Sequence, residues 1–516
     1  MAVPSPSNDF INTLRFGALL VVAQLTVYEY SISGSLISAI DIPCSAANIT
    51  NDRNSAQRRT GSVTVELFPS VPPPALLPTA PPTPGNPQLL APFGNEVNIA
   101  LGLAVGNVSP VPLAVLTSAA TRNTSTIEIN SISNSSVDIS VGSTIIVGSA
   151  APVVVSGVVG NGPYTLNLQT PLSSAQADGT AVQVSQFVNL GLFTITSTTV
   201  DATADNLVVT LDVADRAFVI DSHKLTGPYT FPATASGTYE SEVTALLNQA
   251  WGAFPNMPAL NYNFSGINNP IVPAATYNQG TSPWQMALDL ASVSGNELYV
   301  DQNGIITSHA YPNVQTAAVR WYFSNTNTNI FSDPNKTITS GSPYSVPIAV
   351  QVMFTRSGIY NDVYITGSGS QNTPGAAGGA STATGTGSST STTSASPVLG
   401  HAADVTPTSA TYIAGPLGLL SEFTSSNLVP TLAQAQAMAS LDLAMSISSA
   451  WQVEITTPPN PLLDVDDIVS VNYPGVGLVS PNGALGLCMI VDTVATGVTY
   501  AEVTKVTGRI IPGRYA

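Results

Sequence analysis

Along most of this chain apolar and polar residues alternate with the two-residue period of strands. Gly61 to Leu67 reads Gly-Ser-Val-Thr-Val-Glu-Leu, and Leu207 to Val213 reads Leu-Val-Val-Thr-Leu-Asp-Val. Both stretches are rich in β-branched residues, which fit a pleated, half-buried surface. The apolar run Phe16 to Ala23 follows one basic residue, Arg15, as the core of a secretory leader would. Asp9 lies upstream, however, and the pattern continues through Thr26-Val27-Tyr28-Glu29-Tyr30, which predicts a buried strand.

Helical periodicity is sparse. Val243, Leu246, Leu247, Ala250 and Trp251 follow the i, i+3, i+4, i+7, i+8 spacing of a buried stripe. Ser282-Pro283-Trp284-Gln285 predicts a helix start, with Ser as cap, Pro in the first turn and Gln completing a capping box; Gly295 suits a left-handed end. Glu297–Val300, Asp301 to Gly304 and Ile305-Ile306-Thr307 then read as a hairpin with Asn303-Gly304 in the turn. A third helix is predicted from Thr431-Leu432-Ala433-Gln434 towards Ser449.

Three stretches interrupt these elements. A proline cluster from Pro69 to Pro87 cannot enter a sheet and predicts an extended surface loop. Residues 118–187 read as a small β-module inserted into a parent strand-loop. Its strands are predicted at Val141–Val147, Tyr164–Leu168 and Gly179–Val184. Residues 367–398 are Gly, Ser, Thr and Ala with almost no apolar bulk, a composition that cannot offset its own ordering entropy. That tract is expected to be a flexible loop within one domain or a linker.

Composition narrows the function classes. Only 8% of the 516 residues are charged, against about 25% in ordinary soluble domains, while 44% are hydrophobic. Low charge and high hydrophobicity exclude general disorder. A formal net charge of −17 excludes a basic nucleic-acid binder. Two cysteines, Cys44 and Cys488, cannot staple such a length. No run approaches the roughly 20 apolar residues of a membrane span. Ser, Thr, Asn and Gln must therefore cover the surface, as on secreted proteins and on subunits of large assemblies.

No motif for chemistry stands out. The three histidines, His223, His309 and His401, form no HExxH, and there is no CxxC and no G-x-S-x-G. Asp221-Ser222-His223 holds triad residue types, but neighbours in sequence point apart. Asp464-Val465-Asp466-Asp467 is the densest acidic group; it lacks the Gly of a Ca²⁺ loop and leads at once into a strand, so it reads as a turn. No catalytic residue, cofactor or metal ligand is expected.

Four stretches resemble the tail-tip hub, or minor tail, proteins of long-tailed siphovirus-like actinobacteriophages, relatives of phage baseplate hubs. They are Ile49 to Thr60, with Asp52-Arg53-Asn54 and Arg58-Arg59; Leu90 to Val97, leading across the insertion to Leu192-Phe193-Thr194-Ile195; and Trp284 to Asn313. The fourth is Thr355 to Gly367, with Arg356 and Asn361, continued by Gly415-Pro416-Leu417-Gly418 and Asn460 to Asp467. The resemblance implies a mainly β fold with minor α. Two β-barrel-like hub domains would flank α+β middle domains, with the small β-module inserted in the first. The domain spans expected are 1–117 with 188–226, 118–187, 227–345, and 346–366 with 399–516. It further implies that Arg53, Arg58, Arg59, Arg356, Asn361, Asp464, Asp466 and Asp467 are structural or interface anchors rather than catalytic groups.

The same resemblance implies a structural virion protein at the distal end of the tail, made in the host cytoplasm. It would form a homotrimer beneath the last tail-tube ring and meet the distal tail protein, the tape-measure C-terminus and further tip or fibre proteins. DNA would pass through its lumen without specific binding. A β-rich surface adhesin, or a tip protein that binds the host receptor, is the alternative; it accounts for the Ser/Thr/Asn-rich surface but not for the ordered stretches. A hub that also degrades cell wall is disfavoured, because the chain ends soon after the second barrel and the insertion is short for an enzyme domain.

Overall fold

The structure is a computed structural model. It describes residues 21–516 except 68–88, 106–113, 133–138, 326–343, 368–396, 480–485 and shorter stretches of at most four residues. The proline cluster, most of the Gly/Ser/Thr tract and Phe16 to Leu20 thus lie outside the described residues.

The first strands are β1 (Val21–Tyr30), β2 (Leu36–Pro43), β3 (Ala46–Asp52), β4 (Arg59–Leu67) and β5 (Glu96–Val105). After an insertion carrying β6 (Ala114–Val115), β7 (Thr126–Ile129), β8 (Thr144–Val147), β9 (Val153–Val159) and β10 (Tyr164–Leu168), the chain returns through β11 (Ala181–Ala202) and β12 (Leu207–Ala214). β2 and β3 are halves of one strand bent at 43–45, where the Ser45 N–H donates to Thr64 O at 2.9 Å. β2 pairs with β1, and β3 pairs with β4. The antiparallel pairs β1–β5, β5–β11, β11–β12 and β12–β4 complete the circuit, so six strands close into a barrel. Alternate residues point inward, and Leu25, Val27, Ile99, Leu101, Phe193, Val209 and Leu211 are fully buried.

In the insertion, β10 pairs with β7 and β9, and β8 pairs with β9. The Gly179–Val184 stretch, expected as a separate strand of the module, is the beginning of the 22-residue β11, which runs on into the barrel. The boundary expected at 187–188 therefore falls inside one continuous strand. The insertion's ends meet: Leu116 N–H donates to Thr180 O at 2.9 Å, and Gly179 N–H to Leu116 O at 3.0 Å.

The middle of the chain holds α1 (Arg216–Ser222), β13 (Tyr229–Phe231), α2 (Tyr239–Trp251), β14 (Tyr262–Asn263), β15 (Ala275–Tyr277), α3 (Pro283–Ser294), β16 (Asn296–Val300) and β17 (Ile306–Ala310). The predicted stripe on α2 is buried in full, with Val243, Leu246 and Leu247 each worth about 1.5–3 kcal/mol of transfer free energy. Ser282 caps α3 by accepting from Gln285 N–H, and Gly295 ends it at φ 70°. The capping box is only half formed, because Gln285 Nε2 donates forward to Asp289 Oδ1 at 2.9 Å instead of back to the cap. β16 and β17 form the predicted hairpin, with Gly304 left-handed at φ 72°.

The remaining strands are β18 (Val319–Ser324), β19 (Tyr344–Ser345), β20 (Ala349–Phe354), β21 (Asp362–Gly367), β22 (Val398–Ala403) and β23 (Ser421–Ser426). Helix α4 (Leu432–Ser448) follows, then β24 (Trp451–Thr457), β25 (Ile468–Asn472), β26 (Leu487–Gly497) and β27 (Thr504–Tyr515). β21 to β23 form a separate sheet whose Val363 and Ile365 share a core with Ala435 and Ala439 of α4 and with the middle elements. β21 to β23 and α4 therefore pack with the middle of the chain, whereas the sequence reading gave 346–366 and 399–516 to the second barrel.

That second barrel begins earlier than expected, at β18. β19 and β20 are again one strand, bent at 346–348, where Ile348 N–H donates to Thr456 O at 2.7 Å. β19 pairs with β18 and β20 with β24. β24–β27, β27–β26, β26–β25 and β25–β18 close the second circuit of six strands. The order is that of the first barrel, strand for strand. One sense differs, since β1 is antiparallel to both neighbours and β18 is parallel to both. The barrels are fused by β3 and β26, which pair antiparallel from Thr493↔Asp52 to Gly497↔Asn48.

Candidate functional site

The β3–β4 hairpin tip, residues 52–59, projects from the first barrel towards the turn that precedes β25 in the second. Asp52 shapes the tip by accepting from Asn54 N–H at 2.9 Å, and Arg53 N–H donates to Asp492 O of β26 at 2.9 Å. Three arginines leave this tip. Arg53 Nε lies 3.0 Å from Glu297 Oε1 and 3.1 Å from Asp466 Oδ1. Arg58 pairs with Asp466 and lies with its guanidinium carbon 3.9 Å from the centre of the Tyr299 ring. Arg59 Nη2 reaches Asp464 Oδ2 at 2.6 Å, and its Nη1 donates to Val300 O at 2.8 Å.

The acidic side is shaped to receive them. Asp466 is left-handed at φ 67°, which turns its carboxylate towards the hairpin, and Asp466 N–H donates to Val491 O at 2.9 Å. Asp464 accepts from Asn51 Nδ2, while Asp467 Oδ2 accepts from Asp464 N–H at 2.9 Å. Arg320 of β18 stands 3.4 Å from Asp467. Burial pushes the Asp467 carboxyl up to about 7 despite that arginine. Glu297 is also raised, first by burial and then by the neighbouring Asp466, with Arg53 and Arg58 opposing. The hairpin backbone is held from a third side: Asp215 Oδ2 accepts from Arg59 N–H at 2.9 Å, and Oδ1 caps α1 through Ala217 N–H at 3.0 Å. Burial lifts Asp215 to about 6.

Six of the eight predicted anchors, Arg53, Arg58, Arg59, Asp464, Asp466 and Asp467, therefore meet in one node. Arg356 and Asn361 do not. Arg356 donates to Leu417 O at 2.9 Å on the exposed side of the chain. Asn361 is fully buried and ties the 411–420 segment, with Nδ2 donating to Thr411 O and Gly418 O and Oδ1 accepting from Leu420 N–H, each at 2.8 Å.

Sequence reasoning missed Glu297 and two further buried ion pairs. Glu297 enters the node from β16. Glu96 and Arg216 form a bidentate pair at 2.6 and 2.8 Å, joined by Tyr30 Oη, while Arg216 Nη1 donates to Gly304 O at 2.9 Å. Arg509 grips Asp492 with two bonds of 2.7 Å. No short motif marks them; the one signal available was that so few charges, if spent inside, must pair.

These groups brace; they are not arranged for reaction. Arginine–carboxylate forks fix register between surfaces. His401 Nε2 and Ser421 Oγ both bond Asp362, at 2.6 Å each, so the serine faces the carboxylate rather than the imidazole. Ser222 donates to Val219 O, away from His223. Among the described residues no group of three or more His, Cys, Asp or Glu is placed to hold a metal ion. Burial pushes the Cys44 thiol up to about 12 and raises that of Cys488.

No known family matches the sequence, and no curated protein does. Among solved structures the chain is similar to the tail protein from Neisseria meningitidis MC58, at 9% identity and TM-score 0.48, over 95% of this chain and 97% of that one. It is similar to the 43 kDa tail protein of prophage MuSo2 from Shewanella oneidensis, at 9% identity and TM-score 0.46, over 95% and 98%. A third is the E. coli c3393 protein, described as a component of the type VI secretion system, at 7% identity and TM-score 0.38, over 96% and 74%. These likenesses are distant, and the fold described above rests on the strand pairing of this chain.

Proposed function

We propose that this chain is a structural subunit of a phage tail, forming the trimeric hub at the tail tip. The observation that carries this reading is the doubled barrel: two six-stranded barrels in the same strand order, fused edge to edge through β3 and β26. Three such chains present six similar barrels, the number a hexameric tube requires of the ring beneath it. The buried charge node supports the reading, because it braces the two barrels against each other. Nothing in the geometry favours the adhesin or receptor-binding reading over this one.

In this role the hub closes the tube, meets the distal tail protein and tube ring above, holds the tape-measure C-terminus, and carries further tip or fibre proteins. DNA leaves through the lumen when the tip opens. A net charge of −17 per chain suits a wall that does not bind DNA. Light scattering on the purified chain is expected to give three times its mass, and a particle map is expected to place it at the distal end of the tail. A stable monomer with no contact to tube subunits overturns the proposal. Incubation with peptidoglycan is expected to release no fragments.

A further inference from the structure

The two barrels match closely enough for the link between them to be copied. In circuit order β3 corresponds to β20, β4 to β24, β11 to β26 and β12 to β27. Register corresponds too. β11 bulges against β12 between Ile195 and Ser197, and β26 bulges against β27 between Val491 and Thr493. Alignment on the bulge sets Thr199 where Ala495 stands. Following the pairs through β12 and β4, and through β27 and β24, sets Met353 where Thr50 stands.

Ala495 and Thr50 face each other across the β3–β26 link. Among the described residues their counterparts face no strand. β5 leaves β11 at Thr194, just as β25 leaves β26 at Ile490. Among the described residues no strand pairs with Ser197–Asp201 on the edge away from β12, or with β20 on the edge away from β24. Unpaired edges are templates for another strand, and proteins that stay single blunt them with Lys, Pro or charge. β20 reads Ala-Val-Gln-Val-Met-Phe and carries none of these. It is apolar and open instead, with Phe354 74% and Met353 49% exposed.

We propose that β20 of one copy adds antiparallel to β11 of a second copy, in the register of the internal link, with Met353 opposite Thr199 and Val352 opposite Val200. The occupant is a second copy because this chain already makes the same junction once within itself. The contact is head to tail, so each added copy offers the same two edges and the assembly ends only by closing a ring. The pairing rests on the hub reading for the number of copies in that ring.

The test mixes full-length Thr199→Cys chain with full-length Met353→Cys chain under copper–phenanthroline oxidation. A covalent dimer is expected, at about ten times the yield of Thr199→Cys mixed with Ala349→Cys, whose thiol sits about 13 Å off register, too far for a disulfide. The unsubstituted chain controls for Cys44 and Cys488. Light scattering is run on the same samples. A trimer whose two cysteines do not couple overturns this inference and leaves the hub reading standing. Coupling in a ring of another size supports the pairing and overturns the threefold reading. A monomer at every concentration overturns both. Met353→Lys, at a half-exposed edge position, is expected to leave a chain that still melts cooperatively and to shift the assembly towards monomer, lowering the melting temperature only by the association lost; an unchanged mass overturns the inference.

Discussion

Arg58 carries its charge to a place that water barely reaches, between Asp466 and the face of Tyr299. Removing one partner of a buried pair leaves the other charge stranded, so Arg58→Ala is expected to cost about 3–5 kcal/mol in urea unfolding. Arg356→Ala, which loses one exposed contact to Leu417 O, is expected to stay within about 0.5 kcal/mol of the parent. Asp467 gives a pH signature. Its carboxyl sits at about 7 when folded against 3.8 ordinarily, so between those values the folded protein keeps a proton that the unfolded chain releases. That group's contribution to stability is intact at pH 4, declines as pH rises to 7 and stays low above it. Asp467→Asn is expected to match the parent near pH 4.5 and to exceed it by about 1–3 kcal/mol at pH 8, read from paired melting curves. At this scale the sequence showed which residue types were unusual but not where they would meet. The arginines and aspartates of the node stand some 400 positions apart, as Arg58 and Asp466 do (|i−j| 408), and no local pattern encodes that encounter.

Among the elements, those with strong periodicity were legible: the α2 stripe, the Ser282 cap, the Gly295 end and the β16–β17 hairpin. What escaped were features set by neighbours. The bend at 43–45 exists because one strand must serve β1 with one half and β4 with the other. β11 spans 22 residues because it serves both the insertion and the barrel, and alternation alone cannot say where such a strand changes partners. Gly304 shows how a turn residue acquires a second duty. It is left-handed, its carbonyl receives Arg216, and a Cβ there would stand 2.7 Å from Leu192 Cδ2. Gly304→Ala is therefore expected to destabilise by about 1–3 kcal/mol, more than a turn strain alone, as a lowered urea midpoint with an unchanged slope.

The molecule as a whole is a repeat that the sequence conceals. The two barrels share strand order, bend position and a bulge, yet the first is interrupted by the insertion and the second by residues 362–448. The resemblance to hub proteins implies two barrels, while these interruptions keep the repeat from showing as a continuous period along the chain. They also predict tolerance. Because Leu116 and Thr180 are already hydrogen-bonded, replacing residues 117–179 with a two-residue turn is expected to leave a cooperatively folding chain of unchanged oligomeric mass; loss of cooperative melting would show that the module is integral to the barrel.

The β3–β26 link also sets an order in time. Asp52 leaves the ribosome long before its strand partner Thr493, which follows 441 positions later. Arg58 and Arg59 of the hairpin tip wait through 408 and 405 further positions for the aspartates that neutralise them. Long-range closure of this kind is slow, since the loop must be closed before the contacts that reward it can form. A prematurely terminated chain would present a β3 edge without its partner and basic side chains without their acids. A truncated chain thereby differs from the folded one in an open strand edge and in uncompensated positive charge.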